Sequence, residues 1–245
     1  MIELSVTAFN VEVSRNATAR EIGTALAQFE PDVAGFSEAP AGEWTAEAAA
    51  PLEMSHVVVG RYTTAGHTDK YKSIAAKTAL SDYEEVLMAD IYHTATRAKA
   101  TIDGVELTIY SVHFPFGWRD QAHIDETTAK IRTFVDYLAE RRDDEIAIVM
   151  GDFNFLLSTD SYRSQYHEMF RDIGMDAAWR DLGIDVTRRS SSFDHGPGDD
   201  GVGRVIDHIM YPTDKITAVD GDIIEIEKRL SDHKPVWAKL RVNAS

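Results

Sequence analysis

The sequence contains no cysteine in its 245 residues. This absence excludes disulfide bonds, zinc–thiolate sites and cysteine nucleophiles. It does not fix the cellular compartment, because a chain without thiols is compatible with reducing and with oxidising surroundings. Any metal that the protein binds must therefore be held by ligands other than thiolates.

Long apolar runs and an N-terminal targeting pattern are also missing. No run approaches the length that spans a membrane, and Met1 leads directly into a strand-like segment over residues 2–9. A signal peptide would place a basic segment and then an apolar segment ahead of that strand. We therefore expect a cytoplasmic protein with no transmembrane segment; a secreted protein that had lost its leader would look the same.

Positive charge is scarce in this sequence. The sequence has 25 Lys and Arg residues against 41 Asp and Glu residues, which gives a net charge of −16. Such a surface repels the phosphate backbone of nucleic acid at long range, although a bound metal or a local basic patch can invert the field. Basic clusters do not exceed two neighbours, as at Arg141–Arg142 and Arg188–Arg189. Nucleic acid is thus disfavoured as a partner but not excluded.

The most informative stretch that is present runs from Ile146 to Asn154, Ile-Ala-Ile-Val-Met-Gly-Asp-Phe-Asn. Its apolar part predicts a buried strand that ends at Gly151. Strand alternation then puts the side chains of Asp152 and Asn154 on the same side of the chain. An acid and an amide held together suit a hard cation or a phosphate group. The alternative is an ordinary turn, since Gly, Asp and Asn are common turn residues.

Hydrophobic periodicity predicts a mixed α/β protein with one domain over residues 1–245. Strands are expected at 2–9, 33–36, 56–59, 73–78, 84–92, 96–102, 105–112, 146–150, 205–210, 223–226 and 236–242, and helices at 18–29, 43–50, 120–142 and 159–172. Many neighbouring strands read as hairpins, which favours antiparallel or mixed sheets covered by helices. A polar, Gly-rich loop over residues 188–204 is long enough to suggest a functional role.

Polar residues recur where these strands end. They are Asn10, Glu38, His113, Asp152 with Asn154, and Asp207, and Asp232 and His233 lie just before the last strand. Each has a plain structural alternative, such as a turn, a surface acid or a core histidine. Together they form a set that can carry out phosphoryl transfer. In that chemistry carboxylates and an amide bind Mg²⁺ or Mn²⁺, histidines contact the phosphate, and an acid orients or deprotonates the attacking water.

These residues lie in motifs that resemble the endonuclease/exonuclease/phosphatase superfamily. The motifs are Phe9-Asn10, Ser37-Glu38, Tyr110-Ser-Val-His113, Gly151-Asp-Phe-Asn154, Ile206-Asp-His-Ile209 and Ser231-Asp-His-Lys-Pro235. They follow the order of the family and span nearly the whole chain. The resemblance implies a four-layer αββα sandwich, in which two mixed, mostly antiparallel sheets pack face to face with helices outside.

The resemblance also implies a role for each matched residue. Glu38 is similar to the principal metal ligand, with Asn10 beside it and Asp232 nearby, and Asp152 counts both as a ligand and as the residue that activates water. The expected cofactor is Mg²⁺ or Mn²⁺, with Ca²⁺ as a further candidate. His233, oriented by Asp207, resembles the phosphate-binding histidine. Asn154 and His113 resemble further contacts to phosphate and water.

Two departures from the family pattern stand out. Members similar to deoxyribonuclease I pair the first histidine with a Glu on an earlier strand, whereas the corresponding stretch here offers Ser73, which leaves the role of His113 as a general acid open. His208 replaces a Tyr that often follows the Asp of the family motif. Signatures of inositol phosphatases and sphingomyelinases are not evident.

Candidates for substrate contacts come from outside the motifs. Trp118 lies in the aromatic segment Phe114-Pro-Phe-Gly-Trp118-Arg119 and is expected to form a wall of the pocket, or else to anchor a loop. Lys72, Arg97 and Arg204 are candidate cations for phosphate, each with a surface role as the alternative.

The leading functional interpretation is a metal-dependent phosphoesterase that hydrolyses a small, lipid or sugar phosphate ester, either a diester or a monoester. One alternative is a Mg²⁺-dependent nuclease of the same fold, which would lose affinity steeply as salt rises. A second is an inactive binding protein, which would be expected to lack a ligand or a histidine, whereas every matched position is filled here.

Overall fold

The computed structural model describes residues 1–116, 120–156, 164–193 and 204–243. In chain order the strands are β1 (Ile2–Asn10), β2 (Val33–Ala39), β3 (His56–Val59), β4 (Tyr71–Ala76), β5 (Leu80–Leu87), β6 (Thr94–Ile102), β7 (Val105–His113), β8 (Ala147–Asp152), β9 (Met175–Ala177), β10 (Asp207–Pro212), β11 (Ile216–Ile223) and β12 (Val236–Val242). The helices are α1 (Ala19–Ala27), α2 (Trp44–Ala49), α3 (Gln121–Arg141), α4 (Ser164–Asp172) and α5 (Ala178–Leu182). None of the helices within the described ranges is both long and apolar enough to cross a membrane.

The strands form two sheets of six. Sheet A has the order β11-β12-β1-β2-β4-β3, and sheet B has the order β5-β6-β7-β8-β10-β9. Within each sheet one central pair is parallel, β1 with β2 and β7 with β8, and the other pairs are antiparallel. A parallel pair needs a crossover connection, which α1 supplies in sheet A and α3 supplies in sheet B. The C-terminal ends of β1, β2, β7 and β8 carry the polar motif residues.

The core lies between the two sheets and beneath the helices. Leu4, Val6 and Ala8 of β1 share one buried cluster with Ile148 and Met150 of β8 and with the buried residues of α3. A second cluster joins α1 and α2 to the outer face of sheet A. Helix, sheet, sheet and helix therefore stack in four layers, which confirms the expected sandwich.

Local sequence signals account for several of these elements. Thr18 caps α1 because its hydroxyl accepts from the backbone N–H of Glu21, and its own backbone N–H donates to the carboxylate of Glu21, which completes a capping box. Asp103 and Gly104 form the predicted two-residue turn, with φ values of 49° and 82° that this tight hairpin requires.

Other expectations about the elements are corrected. The strand predicted at 223–226 is β11 at Ile216–Ile223, an earlier segment whose pairing with β12 shifts register between Ala218 and Asp220. The strand predicted at 84–92 ends at Leu87, since Asp90 accepts hydrogen bonds from the N–H groups of Tyr92 and His93 and closes a turn. Strand β9 and helix α5 were not predicted, because both are too short to show a period.

Candidate active site

Strand register brings three of the predicted residues side by side at one rim of sheet B. Asp152, the last residue of β8, pairs with His113 of β7 on one side and with Asp207 of β10 on the other. Gly151 precedes Asp152 with a φ of +139°, and a Cβ there would lie 2.2 Å from the carbonyl oxygen of Val112. This position must therefore be glycine for the two strands to approach so closely.

Sheet A supplies the residues that face this rim. Asn10 ends β1, Glu38 lies near the end of β2, and His233 precedes β12. Ser37 links the two sheets directly beneath the rim, because its hydroxyl donates to the carbonyl of Val112 at 2.9 Å. The family motifs, which lie far apart in the chain, thus converge in one place.

The carboxylate of Asp152 lies at the centre of this group and is almost fully buried. Its Oδ2 accepts a hydrogen bond from the Asn10 amide at 3.0 Å, and its Oδ1 accepts one from the backbone N–H of Asn154 at 2.9 Å. Oδ2 also lies 3.5 Å from Nε2 of His113 and 3.8 Å from Nε2 of His233. Burial raises the pKa of Asp152, and the neighbouring charge of Asp207 raises it further. A buried carboxylate of raised pKa suits a residue that accepts a proton from water.

His233 is held by a buried hydrogen-bonded chain. Its Nδ1 donates to Oδ2 of Asp207 at 2.9 Å, and the hydroxyl of Ser191 donates to the same oxygen at 2.7 Å. Burial by itself would lower the pKa of His233, but the carboxylates of Asp207 and Asp152 outweigh it and raise the pKa to about 10. The imidazolium is therefore the stable form at neutral pH, with Nε2 turned towards Asp152.

His113 is equally buried but has a different environment. Its Nδ1 has no hydrogen-bond partner among the described residues, and the closest carboxylate oxygen, Oε1 of Glu38, is 3.9 Å away. Burial lowers the pKa of His113 to about 4, and the charges of Lys72 and Lys70 act in the same direction against the attraction of Asp152. His113 is therefore neutral at neutral pH. It can accept or donate a hydrogen bond but carries no charge to the phosphate.

Glu38 projects from a distorted part of β2. The pairing with β4 shifts register between Phe36 and Ala39, and Glu38 itself has a φ of 55°. A bulge of this kind re-aims a side chain that strict alternation would point elsewhere. The carboxylate of Glu38 lies 2.6 Å from the ammonium of Lys70.

A cavity of about 420 Å³ opens beside this group, and its walls include Glu38, Lys70, His113 and Asn154. Asn154 adopts a φ of 52°, and its side chain donates to the carbonyl of Phe114 at 2.9 Å. A larger groove of about 860 Å³ is lined by Glu3, Asp32, Lys77 and Trp237 at the other end of sheet A. That groove contains none of the converging residues, so its size does not make it the active site.

The donor set fits a hard divalent cation. Within the described residues, one buried group has its possible ligand atoms within 4.8 Å of one another, namely Asp152, Asp207 and His233. Because the ring of His233 is protonated, the carboxylate oxygens of this group are the atoms that could hold a metal. Oδ1 of Asp207 is buried and has no hydrogen-bond partner among the residues that the structure describes. The ammonium of Lys70 already shows that Glu38 attracts a cation. Oxygen ligands of this kind are those that Mg²⁺ and Mn²⁺ prefer.

Two predicted metal ligands, Asn10 and Asp232, are not members of this buried group. Asn10 is linked to it through its hydrogen bond to Asp152, and its own Oδ1 accepts from the backbone N–H of Glu12 at 3.1 Å. Asp232 is only half-buried and lies outside the group, while its backbone N–H donates to Glu12 at 3.1 Å. Its negative charge nevertheless contributes to the raised pKa of His233.

Two predicted substrate contacts are corrected. The guanidinium of Arg97 binds Glu145 at 2.6 Å on the face of sheet B that α3 covers, because alternation along β6 directs this side chain away from the rim. Lys72 is fully buried between the sheets and donates to the carbonyl of Tyr62 at 3.0 Å. Burial lowers the pKa of Lys72 to about 8. Neither residue is among those that line the cavity of about 420 Å³.

Other predictions have more limited outcomes. Ser73 does not take the place of an acid beside His113, because its hydroxyl contacts Thr45 of α2 on the outer face of sheet A. His208 lies in the core, where Trp179 donates to its Nδ1 and its Nε2 contacts the carbonyl of Phe155. The backbone of Arg204 pairs with residues 189–191, and Trp118 lies outside the described residues.

Sequence reasoning missed three residues that support the site. Ser191 belongs to the polar loop that was singled out, but nothing in the sequence distinguishes it from the adjacent serines. Lys70 lies in a segment that reads as an ordinary loop. Ser37 stands beside Glu38 in the motif, yet its role in joining the two sheets depends on tertiary packing.

The fold of this chain is similar to the folds of several solved structures. An endonuclease/exonuclease/phosphatase from Beutenbergia cavernae matches with a TM-score of 0.81 at 14% identity, over 99% of this chain and 72% of that chain. An AP endonuclease from Archaeoglobus fulgidus matches with a TM-score of 0.73 at 18% identity, over 96% and 98% of the two chains. The 3′ phosphatase NExo from Neisseria, bound to a product DNA hairpin, matches with a TM-score of 0.74 at 17% identity, over 98% and 100%. Similarity at this level of identity shows a shared fold.

The sequence itself was compared with curated proteins and with family models. None of the curated proteins matches the chain. The model of the Endonuclease/Exonuclease/phosphatase family, by contrast, matches residues 7–233, a range that includes all the converging motif residues. The chain therefore belongs to the endonuclease/exonuclease/phosphatase family of metal-dependent phosphoester hydrolases.

Proposed function

We propose that the protein hydrolyses a compact phosphate ester, with a small, sugar or lipid alcohol, by the attack of an activated water molecule. The observation that carries this proposal is the chain Ser191–Asp207–His233, which holds a charged imidazole 3.8 Å from the carboxylate of Asp152. The imidazolium of His233 can thus bind negative charge, and the neighbouring carboxylate of Asp152 can accept a proton.

His233 is proposed to bind the phosphate. Its Nδ1 proton is held by Asp207, so the proton on Nε2 is available to an oxygen of the phosphate. The distance of 3.8 Å between Nε2 and Oδ2 of Asp152 is longer than a hydrogen bond, so the Nε2 proton is not donated to this carboxylate. A fixed cation at this position stabilises the negative charge that builds up on the phosphate in the transition state.

Asp152 is proposed to orient and deprotonate the attacking water. The Asn10 amide and the backbone N–H of Asn154 each donate a hydrogen bond to one of its two oxygens, which holds the carboxylate between the two histidines. Its raised pKa makes it a stronger base than an exposed aspartate. His113, neutral and adjacent, is proposed to contact a phosphate oxygen or the leaving group through a hydrogen bond.

The expected cofactor is Mg²⁺ or Mn²⁺, with Ca²⁺ as a further candidate. Glu38, Asn10 and Asp152 are the residues proposed to hold it, with Asp232 as an additional ligand. A bound divalent cation neutralises phosphate charge and stabilises the leaving oxygen. All these ligands offer oxygen, which matches the preference of these ions.

A compact substrate is supported by the distribution of charge. The net charge of −16 repels a duplex, whose binding surface needs several Lys or Arg residues to follow the phosphates. Arg97 and Lys72 are engaged within the fold, which leaves Lys70 and Lys130 as the lysines that line the cavity. A small ester needs only the metal, the two histidines and one such cation.

A nuclease is the second candidate function. The structural relatives include an AP endonuclease and a phosphatase bound to a DNA hairpin. If this chain acts on nucleic acid, affinity should fall steeply with rising salt, because the displaced counterions scale with the phosphate contacts.

The test is an assay of four substrates side by side at moderate salt: plasmid DNA, an abasic duplex, bis-p-nitrophenyl phosphate and p-nitrophenyl phosphate. We expect turnover of a small ester with Mg²⁺ or Mn²⁺ and no turnover after exhaustive treatment with EDTA. The Asp152→Asn variant, purified in parallel, controls for contaminating phosphatases. Efficient DNA cleavage without turnover of the small esters would favour the nuclease. Full activity after chelation would contradict the role of the metal.

A further inference from the structure

The ion pair between Lys70 and Glu38 is a feature that the proposed mechanism does not use. The ammonium lies 2.6 Å from Oε2 of Glu38, and the two side chains are 27% and 11% exposed. Glu38 is the residue that resembles the principal metal ligand of the family. A side-chain cation therefore contacts the carboxylate that a metal ion would need.

The fold fixes this pair through strand register. Tyr71 pairs with Ala39 across β2 and β4, and Lys70 and Glu38 are the residues that immediately precede this pair in their two segments. The carbonyl of Lys70 accepts a hydrogen bond from Thr64 at 2.8 Å, which holds the backbone in place. The side chain is left to span from this anchored backbone to the carboxylate.

Lys70 differs from the other lysines near the site. Lys130 is held by Asp90 at 2.9 Å and by Glu126 at 2.7 Å, and Lys72 is buried on the carbonyl of Tyr62. Within the described part of the chain, the ammonium of Lys70 has an ion pair with Glu38 alone. If that carboxylate is taken by another cation, Lys70 loses its partner, whereas Lys130 does not.

We propose that Lys70 competes with the divalent metal for Glu38 and, once displaced, turns its ammonium to the phosphate of the substrate. The inference rests on the proposed function, because it takes Glu38 as a metal ligand. A divalent cation and an ammonium repel each other strongly at a few ångströms, so both cannot stay on one carboxylate oxygen. The flexible four-carbon stem lets the ammonium move. The cavity that Lys70 shares with His113 and Asn154 is the place where the phosphate would lie.

This arrangement couples the binding of metal and of phosphate. Metal alone must displace an ammonium that then has no partner. Phosphate gives the displaced ammonium a new partner, so phosphate should tighten metal binding by more than direct coordination achieves. Such a coupling is reciprocal, and the metal must tighten phosphate binding by the same factor.

The test is a titration of the full chain with Mn²⁺, with and without inorganic phosphate. The EPR signal of free Mn²⁺ measures how much of the ion is bound. The Lys70→Met variant removes the competing cation, and we expect its Kd for Mn²⁺ without phosphate to fall roughly fivefold, the effect of losing one partly exposed ion pair at the upper end of its range. Phosphate should then tighten Mn²⁺ binding less in this variant than in the parent. Lys70→Arg keeps the charge and should resemble the parent.

The matched control is Lys130→Met, which removes a lysine of the same cavity that does not contact Glu38, and its Kd for Mn²⁺ should stay within about twofold of the parent. Glu38→Gln should weaken Mn²⁺ binding. Thermal unfolding in EDTA identifies a variant that does not fold, and in that case Lys70→Gln replaces Lys70→Met. An unchanged or weaker affinity in a folded Lys70 variant without the charge would overturn the inference, and so would an undiminished effect of phosphate.

The outcome separates this inference from the proposed function. Tighter Mn²⁺ binding in Lys70→Met, in a protein that hydrolyses none of the esters, would support the competition and reject the hydrolase. Metal-dependent hydrolysis together with an unchanged Mn²⁺ affinity in Lys70→Met would support the hydrolase and reject the competition.

Discussion

The two histidines that flank Asp152 offer a direct comparison of two sides of one site. Their Nε2 atoms lie 3.5 Å and 3.8 Å from the same carboxylate oxygen, and both side chains are about 10% exposed. On one side Asp207 contacts His233 and raises its pKa to about 10. On the other side Nδ1 of His113 has no hydrogen-bond partner in the part of the chain that the structure describes, and burial lowers the pKa of His113 to about 4.

The difference teaches that burial alone does not set the charge of a histidine. Both rings are removed from water, which disfavours the charged form in each case. For His233 the carboxylates of Asp207 and Asp152 reverse the result, and Asp207 is the one at hydrogen-bond distance. One imidazolium and one neutral imidazole thus lie on the two sides of Asp152, and the four predictions below test that contrast.

The largest expected effect comes from removing the charged side. His233→Ala should lower kcat by about a hundredfold or more, since it removes the cation that stabilises charge on the phosphate. Asp152→Asn should cost a similar factor through the loss of the base. His113→Ala should cost clearly less, because a neutral ring supplies only a hydrogen bond. Steady-state kinetics with the best small ester at saturating Mg²⁺ measures all three, and near-normal kcat in His233→Ala would contradict the assignment.

The second prediction converts the charged side towards the neutral one. Asp207→Asn keeps the shape of the side chain but removes the charge that raises the pKa of His233. In the variant the imidazolium of His233 loses its proton at a lower pH. The alkaline limb of the pH–rate profile should therefore move down from about 10 towards 6.5. At pH 8 we expect kcat to fall roughly tenfold or more. An alkaline limb that stays in place would show that Asp207 does not hold this proton.

The third prediction concerns stability against pH. The folded pKa of His233 is raised, so its contribution is fully present below about 6.5 and is lost as pH rises through about 10. The folded pKa of His113 is lowered, so the unfolded chain takes up a proton first and stability falls between pH 6.5 and about 4. His113→Gln should flatten that acid slope by at most about 1.4 kcal/mol per pH unit, the value for one proton. Urea unfolding across pH 4–7 measures this slope, and an identical slope in parent and variant would contradict the neutral state of His113.

The smallest effect is expected one step further from the phosphate. Ser191→Ala removes the hydroxyl that donates to Asp207 at 2.7 Å and accepts from the N–H of Ile206 at 3.0 Å. We expect the free energy of unfolding to fall by about 1 kcal/mol and kcat to fall by a few-fold. Ser111→Ala is the matched control, because this buried serine bonds the carbonyl of Phe36 between the sheets. It should lose similar stability and keep its kcat; equal kcat losses in both variants would remove the special role of Ser191.

The sequence by itself determined the fold and most of the residues that meet at the rim. Periodicity identified β1, α1, α3 and β12 to within a few residues, because alternation and helical spacing are local properties of the chain. The Gly-Asp-Phe-Asn and Ser-Asp-His motifs identified Asp152 and His233, because the chemistry of phosphoryl transfer restricts which side chains can stand there. The sequence also showed that the apolar run ends at Gly151, just before an acid.

Only the tertiary structure decided what those residues can do. The charge of each histidine depends on partners far along the chain, and even the contact between Asn10 and Asp152 joins residues 142 positions apart. Arg97 and Lys72 looked like phosphate ligands until the direction of their side chains was known, and Lys70 became relevant only through strand register. Electrostatic energy depends on distance in space and on burial, and the linear order of residues specifies neither until the sheets have packed.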